Sequence, residues 1–342
     1  MQPTFVGLHT NNFHHALVLG VAMPEETVNE VGTKSVPIDP TDVSYTSILQ
    51  EHDVARSQRQ TRRALLLDLG KKDFNDGHSP SGVVAHLSKA SLSMDDIPIL
   101  GNVLRKIGDV HTLNLILHSP GGDGTVVEKF VALCRTQCTH FRVMIPHLAK
   151  SAATLIALGA DEILMGPPSE LGPIDAQVPV VSGGVRRYIS AQAFIDARDD
   201  LLKRHKDLVS KKEDTTAILQ MLASLDVAFV SHCEHLMDFG RDVARKLLSE
   251  FMFKNSREKD KKIDYLVKEL ASVDRFKVHG RVVDGNTARR EFGLKVKICG
   301  HDDPCWKKIW EYYTRADITL SSSRATKLFE TSHELLMASP QD

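Results

Sequence analysis

The sequence predicts an α/β fold with a mainly parallel sheet. Two observations carry that prediction. Short apolar runs of strand length alternate with segments of helical periodicity, and two of those runs end in turns of small residues that lead straight into helices. Alternating strands and helices make βαβ units, which return each strand parallel to the one before. With 342 residues, 42% of them hydrophobic, the chain has ample material for a core.

The apolar runs are Leu65 to Leu67, Gly82 to Leu87, Leu113 to Leu117 and Phe141 to Ile145, each read as a buried strand. Between the second and third, Ser93-Met94-Asp95-Asp96 caps a helix that carries Ile97, Leu100, Leu104 and Ile107 at helical spacing. Between the third and fourth, Thr125 to Cys134 places Val126, Val127, Phe130, Val131 and Cys134 on one helical face. A helix of small residues, Ala152 to Ala160, follows the fourth run. Past Pro179 the texture becomes helix-rich. Ser190 caps a helix through Asp207, a second and kinked helical region runs from Thr215 to Phe251, and residues 255–263 form a charged, solvated stretch. The expected organisation is an N-terminal extension over 1–60, a main domain over 61–300 with a helical segment at about 190–270 inside it, and a C-terminal tail over 301–342.

Composition removes several function classes. Lys and Arg total 43 against 44 Asp and Glu, a net charge of −1, so no basic excess marks a nucleic-acid partner. Five cysteines, an odd number spread along the chain, and an N-terminus without a secretory pattern predict a reduced, cytoplasmic protein. The early apolar run Ala16 to Met23 is broken by Gly20 and falls far short of the roughly 20 residues that span a bilayer, so no membrane anchor is expected. His232-Cys233-Glu234-His235 and the group Cys299, His301 and Cys305 hold zinc-ligand types without the paired spacing of a zinc module. Neither a metal nor a cofactor is expected.

Two segments carry chemistry. In the first, the run Leu113 to Leu117 continues through His118-Ser119-Pro120 into Gly121-Gly122-Asp123-Gly124 and then a helix. Glycines there let backbone N–H groups face a ligand, because no Cβ blocks the approach and unusual φ values cost little. Such a turn presents donors to a developing negative charge, although taken alone it equally suits a tight strand-to-helix connection. In the second, Phe141 to Ile145 continues through Pro146-His147-Leu148-Ala149-Lys150 to Ser151 and the small-residue helix. A serine at that junction has its hydroxyl exposed at a strand end, or caps the helix.

Together the two segments resemble the ClpP/crotonase superfamily of serine peptidases, in particular the signal peptide peptidase A group and the serine dehydrogenase proteinases. In those families a strand ends in a glycine turn that supplies oxyanion donors, and the next strand leads to the nucleophilic serine at a helix start. Gly121, Gly122 and Ser151 stand at the matching positions. The likeness continues through Ala160-Asp161-Glu162-Ile163 and through Leu171-Gly172-Pro173-Ile174-Asp175-Ala176-Gln177, which is similar to a Leu-Gly-Pro-Val-Asp-Pro-Gln stretch of the serine dehydrogenase proteinases. It returns at Val278 to Leu294, where such proteases carry a closing strand, a helix and a Gly-Leu.

The resemblance implies a repeated β-β-α core, a helix-rich region that mediates self-association into a homo-oligomer, and a peptide or protein substrate. It implies attack by Ser151 Oγ on a peptide carbonyl, with the oxyanion held by N–H groups near Gly122 and Ala152. Asp175 then orients a base or binds substrate. Four residues are candidates for the base. ClpP uses a histidine about 25 residues after its serine, a stretch without histidine here, whereas signal peptide peptidase A uses a lysine about fifty residues after, the spacing of Lys203. Lys150 adjoins the serine, and His118 and His147 stand at strand ends, where sites on parallel sheets gather. The rival functions are a catalytically silent member that binds or scaffolds, and crotonase-type acyl-CoA chemistry, which uses the same oxyanion geometry on a thioester. The serine at the helix start favours the peptidase.

Overall fold

Strands β1 (Ser81–Ser88), β2 (Val110–His118), β3 (Cys138–Ile145) and β5 (Glu162–Met165) lie side by side and parallel, and β10 (Val296–Ile298) extends the row beyond β5. Beyond β1, the hairpin of β11 (Lys327–Thr331) and β12 (Leu335–Ala338) adds two antiparallel strands, giving the order β10-β5-β3-β2-β1-β11-β12. This computed structural model describes residues 55–71, 74, 77, 81–276 and 280–339. The expected N-terminal extension lies outside the described residues up to residue 54.

Helices cover both faces of the sheet, which is why its central strands read as unbroken apolar runs. Leu113, Leu115 and Leu117 of β2 belong to one core with α2 (Asp96–Ile107), α3 (Val127–Arg135) and α4 (Ala152–Leu158). Ile116, together with Val83, Ala85 and Leu87 of β1 and Met144 of β3, belongs to a second core with α1 (Ala55–Leu69) and α11 (Pro304–Ser321). Side-chain parity along each strand therefore decides which layer a residue joins.

Two expectations need correction. The run Leu65 to Leu67 is not a strand but part of α1, where Leu65, Leu66 and Leu69 are buried and Leu67 is half exposed, a helical rather than an alternating pattern. Residues 301–339 of the expected tail belong to the fold: α11 forms one layer, and β11 pairs with β1 inside the main sheet. Buried Glu330 of β11 accepts from Arg62 Nε at 2.8 Å and from Tyr312 hydroxyl at 2.8 Å, tying α1, α11 and the sheet together.

Small strands form a second sheet at the C-terminal ends of the main one. β4 (Leu148–Ala149) pairs parallel with β6 (Glu170–Leu171), and β6 pairs antiparallel with β9 (Val283–Asp284). In chain order β3, β4 and α4 make one strand, strand, helix unit of the expected β-β-α kind. A separate hairpin, β7 (Gln177–Ser182) and β8 (Val185–Ser190), precedes α5 (Ala191–Lys211). α6 (Thr216–Ala223) and α7 (Val227–Leu247), extended by a π-helical turn at Leu248–Met252, follow. The kink expected in this region is a 68° bend, where Asp226 caps α7 through Phe229 N–H at 2.9 Å. α8 (Lys259–Leu270), α9 (Val273–Phe276) and α10 (Gly285–Arg290) complete the helices. No single described helix is long and apolar enough to cross a membrane.

Candidate active site

The site begins with backbone conformation. Ser151 stands immediately before α4 with φ 50° and ψ −118°, a region that side chains other than glycine rarely occupy. Its side chain makes no capping hydrogen bond, which sets aside the N-cap reading and leaves Oγ turned to its surroundings. The strained turn is held from several sides. Buried Thr154 donates to Ala149 C=O at 2.7 Å and accepts from Gly172 N–H at 3.1 Å, fixing the first turn of α4 to β4 and β6.

The glycine turn approaches the same point. Beyond β2, Ser119 forms an isolated parallel bridge with Ala149, with Ser119 N–H to Leu148 C=O at 3.0 Å and Lys150 N–H to Ser119 C=O at 3.1 Å. Gly121 follows with φ 97°, its N–H held by Ser119 Oγ at 3.1 Å. A Cβ on Gly121 would lie 2.5 Å from Lys150 O, 2.8 Å from Ser151 Cβ and 3.2 Å from Ala152 N, so only glycine fits. Gly122, at φ 144°, bridges Leu92, a contact that uses Gly121 C=O and Asp123 N–H. The N–H of Gly122 therefore lies on the opposite edge of the turn. Among the described residues, no backbone acceptor takes the N–H of Gly122 or that of Ala152.

A cleft of ≈ 560 Å³ opens over this junction. Gly121, Gly122, Ser151, Ala152 and Asp175 all line it, so five of the nine expected site residues come together. Its apolar wall is built from Leu155, Ile174, Leu236 and Phe239, and Tyr188 of the β7–β8 hairpin closes one side. Asp175 is buried within it.

The four candidate bases are elsewhere. His118 has the strand parity of Ile116 and so faces α11, stacked on His147 with ring centroids 5.4 Å apart and tilted against Tyr313 at 5.1 Å. His147 Nδ1 shares a hydrogen bond of 3.1 Å with the Tyr313 hydroxyl. Burial, with neighbouring His147 adding to it, pushes the His118 imidazole down to about 4, so it is neutral at ordinary pH. Lys150 turns away from the cleft: its ammonium meets Glu170 at 2.9 Å, Leu171 C=O at 3.2 Å and Arg281 C=O at 3.3 Å, and its stem packs so closely on Gly172 that a Cβ there would lie 2.6 Å from Lys150 Cδ. Lys203 is exposed on α5 and does not line the cleft. Strand parity directs the two histidines, and a carboxylate partner directs Lys150, away from the cleft.

Sequence reasoning passed over Leu92, Ser119, Thr154, Tyr188 and Phe239. Only Ser119, next to the glycine turn, had a local signal; the others reach the site through pairings across the fold. Among the described residues, no group of three or more His, Cys, Asp or Glu side chains could hold a metal ion.

A mostly parallel α/β sheet with a second small sheet at its strand ends is a ClpP-like fold, and in it a strained serine is pressed against a glycine turn. Residues 90–221, which contain this junction, match the family described as ClpP-like SDH-type serine proteinase. The chain is also similar to two uncharacterized proteins of Methanocaldococcus jannaschii, each 32% identical over 87 residues, which are 25% of this chain and 30% of each relative. The match thus spans under a third of those relatives' length. Among solved structures, a mutant of the 1510-N membrane-bound stomatin-specific protease aligns with TM-score 0.37 and 10% identity over 64% of this chain and 78% of the other. Another mutant of it, in complex with a substrate peptide, aligns with TM-score 0.24 and 15% identity over 64% and 90%.

Proposed function

We propose that the protein is a serine peptidase acting through an acyl-enzyme on Ser151. The observation that carries this reading is the strained Ser151 turn, whose side chain caps nothing and which abuts Gly121 in a cleft. Ser151 Oγ attacks a peptide carbonyl carbon as its proton passes to a base. The C–N bond then breaks, the amine leaves with a proton, and water hydrolyses the ester. The N–H groups of Gly122 and Ala152 are the donors for the oxyanion, since both are free of backbone acceptors and lie at the junction. The apolar wall of Leu155, Ile174, Leu236 and Phe239 receives a substrate side chain.

Proton transfer falls to Lys203, whose spacing after Ser151 supports the role; because it is exposed and outside its own cleft, the role requires a second copy to present it. Self-association and activity are therefore linked. The same positions of the lysines and histidines favour, as a second reading, a silent member that binds peptides in the cleft.

Fluorophosphonate labelling tests the proposal. Wild type is expected to become labelled at Ser151, and Ser151→Ala to lose both labelling and peptide hydrolysis while keeping its fold. A wild type that resists the reagent from about pH 6 to 10, across which a lysine or histidine base becomes neutral, sinks the peptidase reading and leaves the silent one.

A further inference from the structure

We propose that the buried ion pair between Lys327 of β11 and Asp96 of α2 is a positioning device, which sets the glycine turn in register with Ser151 from the C-terminal hairpin. This rests on the peptidase reading. The glycine turn cannot support itself, for Gly121 and Gly122 have positive φ and no side chains to pack. Its partner is Leu92, which donates its N–H to Gly121 C=O at 2.8 Å and accepts from Asp123 N–H at 3.0 Å. The approach is so close that a Cβ on Gly122 would lie 2.4 Å from Leu92 N and 2.7 Å from Leu92 O. The position of Gly122 is thus the position of Leu92.

Leu92 itself lies in irregular backbone between β1 and α2, and residues of the C-terminal hairpin grip it from both sides. On one side, Lys89 N–H donates to Thr326 C=O at 2.8 Å. On the other, Ser93 N–H donates to Asp96 Oδ2 at 2.9 Å, and Lys327 Nζ binds Asp96 Oδ1 at 2.7 Å, Asp96 Oδ2 at 2.8 Å and Ser93 Oγ at 3.2 Å. Asp96 is 1% exposed and Lys327 8%. An ion pair so buried adds little net stability over apolar side chains of similar volume, because desolvation offsets the attraction; its distinct contribution is a fixed geometry. Here that geometry ends at the proposed oxyanion donor.

The test uses the full chain. Asp96→Asn or Lys327→Met alone leaves a buried charge or donor unmatched and can prevent folding. The deciding variant is therefore the double replacement Asp96→Leu with Lys327→Met, which removes the pair without leaving either charge unmatched and frees the part-buried Ser93 N–H. Leu336→Ala in β12, which loosens the hairpin without touching the pair, is the control. Backbone amide exchange, fluorophosphonate labelling and peptide hydrolysis are measured well below each melting temperature. In the double variant the Leu92 and Asp123 amides should exchange at least ~10-fold faster while those of Ile116 and Val143 stay protected. Labelling and kcat should fall about 10- to 100-fold with KM unchanged, the pattern of an interaction made in the transition state. Leu336→Ala should reproduce none of this.

Wild-type exchange at Leu92 and Asp123 in the double variant would overturn the proposal, as would wild-type labelling despite faster exchange, or the same pattern from Leu336→Ala. If wild type itself takes no label, the peptidase reading fails, and amide exchange alone decides whether the pair positions the turn.

Discussion

Ser119 and Ala149 face each other across a single parallel bridge, so the glycine turn and the serine turn leave the same pair of strands with no slack between them. Gly121 sits at the closest point of that junction. Gly121→Ala should fold, since the sheet is untouched, but with about 1–3 kcal/mol less stability from the φ of 97° and the contacts with Lys150 O and Ser151 Cβ. Labelling of Ser151 should fall on the order of 10²-fold as the turn retreats from the serine. Gly101→Ala, in α2 with open space around it, is the counterpart and should raise stability by about 1 kcal/mol in urea denaturation.

Strain at Ser151 separates two substitutions that both remove its hydroxyl. Ser151→Gly removes the Cβ that makes φ 50°, ψ −118° unfavourable, whereas Ser151→Ala keeps it. The glycine variant should be the more stable of the two by about 1 kcal/mol, read from denaturation midpoints at unchanged slope. Equal midpoints would show that the turn stores no strain.

Acid should weaken the fold through His86. This histidine is fully buried on β1 between Phe329 and Phe130, with no partner for either ring nitrogen among the described residues, and burial holds it at about 3 against an ordinary 6.5. Between those pH values the unfolded chain takes up a proton that the folded chain refuses. Stability from this residue is thus complete above pH 6.5 and declines as pH falls toward 3, by up to about 1.4 kcal/mol per pH unit. His86→Leu should flatten the stability profile over that window. His118, lowered to about 4 in the same sense, would leave a residual slope.

Self-association should depend on α6, none of whose residues is buried although most of its side chains are apolar. Leu219 and Met221 are about half exposed, and Val227 beside them is more so. Leu219→Glu with Met221→Glu should convert an assembly at micromolar concentration into a monomer by light scattering. If Lys203 acts across copies, the same variant should lose labelling of Ser151 while its thermal stability stays close to wild type. A monomeric wild type would remove both expectations.

The central strands β1, β2 and β3 were legible because each has a run of residues buried on both faces and the crossovers between them have helical periodicity. Gly121, Gly122 and Ser151 were legible because backbone geometry leaves a local mark: glycine where φ must be positive, small residues where a helix packs closely. What escaped was direction and long-range pairing. His118 and His147 stand at the correct strand ends, but parity turns them toward Tyr313, and no local pattern reveals that Lys150 finds Glu170. Leu65 to Leu67 misled because three apolar residues fit a strand or a helix alike, and only the burial of Leu69 decides. Residues 301–342 looked peripheral because their partner, β1, lies far away in sequence.

That last pairing has a consequence for biosynthesis. β1 is among the first parts of the sheet to leave the ribosome and β11 among the last, so until Lys327 to Thr331 emerge, β1 presents an open apolar edge suited to pairing with other chains. The nascent protein is then most vulnerable to aggregation. Because the same late strand carries Lys327, a partly made chain holds Ser151 without the hairpin that pairs Lys327 with Asp96 beside the glycine turn.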